Sequence, residues 1–254
     1  MYAAVLFLVV ILLLFLLAGA WLYFGGGTFT FAPRPQAVNP AIMPKAVNQC
    51  GVADRCLNDD PYLQRLLMID TFNGSGGVKT TYDKILQNNE ILATSLTPVV
   101  GANLARKLNE LWDQKSSLTL DLYKSLHGAF SSREEKHRRQ KNEEKDAAKE
   151  AIAEWGAKCL SLDRAAADIL ARSELQELGS SRLSAERLAN LSSQYNEEIA
   201  SQAKNLASGK FELSISHLDG ARDVRRSLSR QIVSHMWSKL SQEGSRKEFP
   251  SFYV

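Results

Sequence analysis

The chain has 254 residues, with 31 Lys and Arg set against 28 Asp and Glu for a net charge of +3. So near a balance argues against nucleic-acid binding as the main task, because proteins that neutralise phosphate backbones carry a clear basic excess. Three cysteines lack Cys-x-x-Cys or Cys/His zinc spacing, and the sequence holds no P-loop, His-Glu-x-x-His, Gly-x-Ser-x-Gly or paired-carboxylate pattern that would announce an enzyme.

From Ala3 to Phe24 no side chain is charged or strongly polar. At 1.5 Å per residue the run spans roughly 33 Å, enough for a hydrocarbon core of about 30 Å. Residues 1–24 therefore read as a transmembrane anchor. Trp21, Tyr23 and Phe24 close the run, where amphipathic rings favour the headgroup level. The competing reading is a removable export signal, since Ala18 and Ala20 form an Ala-x-Ala pattern. A signal peptide would have a basic leading region and a shorter apolar core, and neither is found here. Arg34 and Lys45 follow the span and no basic residue precedes it, which places the C-terminal part on the cytoplasmic side.

Residues 25–59 read as a linker. Three glycines open it, and Pro33, Pro35, Pro40 and Pro44 favour extended chain. Phe29 and Phe31 alternate with Thr and could form a short strand against a partner. Cys50 and Cys56 lie in this loop-like stretch, as free thiols on the cytoplasmic side or as a small disulfide in an oxidising space.

The bundle is expected over residues 60–242. Asp60 can cap a helix that starts at Pro61 and runs to Phe72, where Asn73-Gly74-Ser75-Gly76-Gly77 ends it. A second helix is expected from Val78 to Thr97, with Tyr82, Ile85, Leu92 and Leu96 at helical spacing and Pro98 as the stop. The next stripe is the clearest. Leu104, Leu108, Leu111, Leu118, Leu122 and Leu126 share one face with Trp112, while Lys107, Glu110, Asp113 and Lys124 take the other. Gly128 marks its end or a break. Residues 131–150 are mostly charged, of mixed sign, and read as an exposed helix extension or a mobile connector. Three more helices follow. One runs from Glu144 to Arg172, with Ile152, Trp155, Leu162 and Ile169 inward. Another runs from Ala185 to Leu206, with Leu188, Leu191, Tyr195, Ile199 and Leu206 inward. The last runs from Phe211 to Leu240, with Ile215, Leu218, Leu228, Ile232 and Met236 inward. No segment alternates as a strand does. The fold class is all-α: an N-terminal transmembrane helix, a proline-rich linker and an antiparallel bundle of long amphipathic helices, with sequential helices placed side by side by short connections. Residues 243–254 form an aromatic tail.

Little chemistry is on offer. Glu134-x-x-His137 has a metal-bundle spacing, but such sites need the motif twice in a dry core, and here it occurs once in the most charged stretch. Cys159 lies among apolar residues as a core thiol. His217 lies between Ile215 and Leu218 as a core-edge histidine rather than a ligand. Gly74, Gly76 and Gly77 precede a helix without the strand or the Lys-Ser/Thr pair of a phosphate loop. Arg222, Arg226 and Arg230 recur every four residues with Arg225 adjacent. They are candidate partner-binding residues for headgroups, phosphate or an acidic protein surface, against a plain reading of local pairing with Asp219 and Asp223. Phe249, Phe252 and Tyr253 of the tail are further partner-binding candidates, able to cap the bundle or to insert into a neighbour.

Residues 60–250 resemble an uncharacterised all-helical family of bacteria and of large DNA viruses, the viral members carrying an added N-terminal membrane span. The resemblance rests on Arg65-Leu66, Leu86-Gln87-Asn88-x-Glu90, Pro98-x-x-Gly101, Lys107-Leu108, Leu111, Trp155, His217 and Phe249-Pro250. Where that family carries helix histidines, this chain holds Lys115 and, near Tyr195, residues other than histidine, leaving His217. The resemblance thus implies a retained scaffold with a lost or reduced metal or catalytic site. It also implies a structural role as a virion membrane or minor capsid protein linking membrane to a protein layer. The expectation is a single-pass, membrane-anchored interaction protein with no enzyme activity and no cofactor, whose partners are a lipid bilayer and a capsid or membrane-associated protein, with no specific nucleic acid. The alternatives are a tethered metal-binding or enzymatic bundle, or a cellular membrane adaptor.

Overall fold

A computed structural model describes residues 43–131, 140–172 and 184–246. These form six α-helices, with no strand among the described residues: α1 (Met43–Phe72), α2 (Val78–Val100), α3 (Ala102–Ser131), α4 (Gln140–Arg172), α5 (Ala185–Ala207) and α6 (Phe211–Arg246). The expected anchor, the linker before Met43, the centre of the charged segment (132–139) and the tail from 247 onward lie outside the described residues.

Successive helices run antiparallel. Asn88 of α2 donates to the Cys56 carbonyl of α1, while the earlier Thr81 reaches the later Asp70. The last helix closes back on the first: Ser229 donates to Asp54 and Arg65 to Ser214, again in opposite order. The result is a helical bundle in which α1 touches α2, α3, α5 and α6.

Several expected boundaries shift, for physical reasons. α1 begins at Met43, so residues 43–59, read as linker, belong to the bundle. Pro61 is inside this helix rather than at its start, and Asp60 is a buried interior residue rather than a cap. A proline in a helix interior costs about 3 kcal/mol. Leu57 before it and Leu67 and Met68 after it are each at most 2% exposed, and burying each such side chain contributes about 1.5–3 kcal/mol. Packing on both sides outweighs the lost hydrogen bond. Likewise α2 continues through Pro98 to Val100, with Val99 and Val100 buried. Gly101, at φ 85°, ends it, and its N–H donates to the Thr97 carbonyl at 2.8 Å. Lys239 of α6 caps the same end by donating to the Val99 carbonyl. Gly128 does not break α3, which continues to Ser131.

The inward stripes are mostly as expected. Leu108, Leu122, Leu126, Trp155, Ile169, Leu188, Tyr195, Ile199, Leu228, Ile232 and Met236 are buried. Leu104, in the first turn of α3, is 38% exposed, and Ile215 of α6, expected inward, is 53% exposed. Asp113, assigned to the outer face, is half-buried and accepts from Asn89 and Asn109 at 3.0 Å each. Burial lifts its carboxyl above the ordinary range, against the pull of those two donors.

All three cysteines are buried and free. Cys50 and Cys56 lie on one helix, six positions and so about 9 Å apart along its axis, beyond the reach of a disulfide. The disulfide reading is thereby overturned. Burial raises all three thiols, Cys159 to about 11. The folded chain should therefore resist a water-soluble thiol reagent such as DTNB and release three equivalents only in denaturant. Rapid labelling of the native protein would contradict this packing.

Candidate functional site

Two apolar clusters fill the bundle, one around Leu57, Leu96, Leu108, Leu188 and Met236, the other around Leu67, Ile85, Leu126, Trp155 and Ile199. Between them lies a buried polar layer. Asp60 of α1 is its first centre. It accepts from the Tyr195 hydroxyl at 2.7 Å and pairs with Arg225 of α6 at 2.8 Å, while Gln64 reaches its second oxygen at 3.5 Å. Tyr123 of α3 donates to Gln64, and the Arg225 guanidinium lies 4.6 Å from the Tyr195 ring centroid. Asp163 of α4 is the second centre. Lys115 of α3 donates to both its oxygens at 2.8 and 2.9 Å, and Asn196 of α5 donates to one of them at 2.7 Å. Trp155 donates to Thr119, which in turn donates to the Lys115 carbonyl.

The electrostatics of the layer are closed. Two carboxylates face two cations, so the interior carries no net charge. Burial, reinforced by Asp60, pushes both Tyr123 and Tyr195 well above the ordinary phenol range, so both stay protonated donors. Burial alone would lower the Arg225 guanidinium, but Asp60, Tyr195 and Asp163 more than offset that and leave it raised. The layer surrounds a cavity of about 50 Å³, lined by Gln64, Asn89, Lys115, Trp155, Tyr195 and Asn196 among others. That is room for about three waters. Asn196 Oδ1, an acceptor, and Arg225 Nε, a donor, have no protein partner and belong to residues that line this cavity, and buried water satisfies groups of both kinds. Chemically the layer locks helix register: the Asp60–Tyr195, Asp60–Arg225, Gln64–Tyr123, Asp163–Lys115 and Asp163–Asn196 bonds each join two helices, and a one-turn slip would strand a buried charge.

The sequence-level candidates are placed elsewhere. Among the four arginines, Arg225 turns inward and is spent on Asp60, so it is not part of the surface stripe. Arg222, Arg226 and Arg230 line an outer groove of about 410 Å³ between α1 and α6, together with Asp54, Asn58, Asp59 and Tyr62. Arg222 pairs with Asp219 at 3.0 Å and stacks on the Tyr62 ring at 5.1 Å, and Arg226 pairs with Asp223 at 3.5 Å. Local pairing thus holds for two of the three, and the groove is of mixed charge rather than basic. His217 is half-buried with Nδ1 2.6 Å from Glu198 Oε2, as a core-edge histidine would be. Gly220 lets that carboxylate approach, because a Cβ there would stand 2.7 Å from its carbon. Among the described residues no group of three His, Cys, Asp or Glu is placed to hold a metal ion. Trp21, Tyr23, Phe24, His137, Phe249, Phe252 and Tyr253 lie outside the described residues.

Sequence reasoning missed the layer, although its signal was present. Lys115 occupies the vacant slot between Leu111 and Leu118 on the α3 stripe, and Arg225 the slot between Ala221 and Leu228 on α6. A polar residue at a core slot on several helices at once is the mark of an internal network.

No family model, no curated protein and no solved structure matches the chain.

Proposed function

We propose that the chain is a single-pass, membrane-tethered structural protein whose helical bundle presents a surface to a protein partner. The observation that carries this reading is the uncharged run from Ala3 to Phe24, long enough to cross a bilayer, joined to a bundle whose buried charges neutralise one another. Among the described residues no helix is long and apolar enough to cross a membrane. Trp21, Tyr23 and Phe24 would sit at the interface, and the chain up to Met43 would act as a tether with the bundle on the cytoplasmic side. The α1/α6 face, with Arg222, Arg226 and Arg230, is the partner surface in this reading, and Phe249, Phe252 and Tyr253 add aromatic contact area. The family resemblance favours a virion membrane or minor capsid component that ties a membrane to a protein layer.

The expected result is that the protein stays in the membrane pellet after alkaline carbonate washing and that its N-terminal sequence still begins within residues 1–3. Release into the supernatant, or a mature chain starting near Trp21, overturns the reading.

A further inference from the structure

We infer that the outer face of α6 is a self-complementary surface that pairs two copies of this chain antiparallel across a two-fold axis. The inference deepens the reading of the α1/α6 face as the partner surface by naming a second copy as the partner.

The argument begins with an anomaly. α6 exposes four large apolar side chains; Leu213 is on the other side, and three lie on one side: Phe211 at 61%, Ile215 at 53% and Trp237 at 38%. At 100° per residue these positions fall within about 80° of one another on the helix. The charged residues between them, Asp219, Arg222, Asp223, Arg226 and Arg230, share the same third of the circumference. α1 adds two more exposed apolar groups on the adjoining shoulder, Tyr62 at 45% and Leu66 at 49%. The Arg222–Tyr62 stack and the Arg65–Ser214 bond set this part of α1, with Leu66 next to Arg65, alongside the stretch of α6 that contains Ile215. The face is thus apolar at Phe211 and Ile215 and again at Trp237, and charged between them, where Asp219 and Asp223 precede Arg226 and Arg230, with Arg222 between the two acids.

That order identifies the occupant. Let a second α6 lie antiparallel, with the axis crossing between Val224 and Arg225, so that position n faces position 449 − n. Asp219 then faces Arg230 of the second copy, and Asp223 faces Arg226. By symmetry both pairs occur twice. Phe211 and Ile215 fall within a turn of Trp237 of the second copy, so exposed apolar groups at each end cover one another. A parallel pairing would set Asp219 beside Asp219 and Arg226 beside Arg226. Isologous contacts of this kind are how most dimers close. The pairs within each helix, Arg222–Asp219 and Arg226–Asp223, do not oppose the exchange. Their acids are 63% and 77% exposed, and exposed pairs hold weakly.

Charge reversal tests this on the detergent-solubilised full chain, with particle mass read by light scattering after subtraction of the detergent. The wild type is expected at twice the 28.2 kDa chain mass. D219R/D223R and R226D/R230D each set like charges opposite one another, and each is expected to weaken self-association by about a hundredfold or more. An equimolar mixture of the two variants restores opposite charges and should return the doubled mass, which also shows that both fold. A wild type at single-chain mass, variants that keep the wild-type mass, or a mixture that stays monomeric overturns the inference. Carbonate extraction tests the membrane tether separately, so failure of either leaves the other standing.

Discussion

Replacing Asp60 by alanine should lower the free energy of unfolding by about 3–5 kcal/mol, the cost of breaking a buried ion pair from one side. The reason lies in what remains. Asp60 and Arg225 have side chains only 7% and 15% exposed, and they are joined at 2.8 Å. Without the carboxylate, the guanidinium stays charged in the interior, because arginine does not give up its proton. Tyr195 loses its acceptor at the same time, and Gln64 loses the oxygen 3.5 Å from its amide. For a domain stabilised by about 5–15 kcal/mol, a loss of this size leaves little margin. The double replacement D60A/R225M should be milder than D60A alone, since it removes the stranded charge together with its partner. Urea unfolding of the detergent-solubilised full chain, followed by helical circular dichroism, measures both. A D60A penalty below about 1 kcal/mol, or a double variant worse than the single, would mean that Asp60 does not hold Arg225 as described.

What was legible beforehand follows from which forces are local. The helical period of Leu108, Leu122, Leu188, Ile199 and Ile232 is written along the chain, and these residues are buried as that period requires. The all-α class follows from it. Pro61, Pro98 and Gly128 are local breakers and signal helix ends, yet the helices run through all three. Tertiary burial of Leu57, Met68 and Val99 outweighs costs of about 1–3 kcal/mol per breaker. Ile215 failed for the converse reason. Its period is helical and apolar, but period does not say which neighbours exist, and at that level α1 and α5 leave the outer side of α6 uncovered. The polar layer was hidden because its partners lie far apart in sequence: Asp60 meets Tyr195 across 135 positions and Lys115 meets Asp163 across 48. No spacing rule spans such gaps. Arg225 illustrates the ambiguity best. Beside Arg222 and Arg226 it reads as part of a surface stripe, while its spacing to the buried Ala221 and Leu228 puts it on the inner face, where it meets Asp60.

Asp163 carries the second large expected effect, and protonation chemistry separates it from the first. Lys115 is 15% exposed and donates both its bonds to Asp163, which is 5% exposed and also accepts from Asn196. The variant D163L should cost about 3–5 kcal/mol at neutral pH, because a buried ammonium and the Asn196 amide are both left without their acceptor. An ammonium, unlike a guanidinium, can shed its proton when it is desolvated and unpaired. In D163L the folded state then binds fewer protons than the unfolded state over a range below the ordinary lysine titration. Unfolding free energy rises with pH wherever the unfolded state holds more protons. The D163L penalty relative to wild type should therefore shrink between pH 7 and pH 9.5, whereas the D60A penalty should not shrink, since its stranded cation does not titrate. K115M/D163L removes both charges and should be closer to wild type than D163L at pH 7, with a coupling of about 1–3 kcal/mol in the double-mutant cycle. Urea melts of wild type, K115M, D163L, K115M/D163L and D60A at the two pH values decide the matter. A D163L penalty that is flat with pH, or single-variant costs that simply add, would show that Lys115 is not desolvated against Asp163 in the way the layer requires.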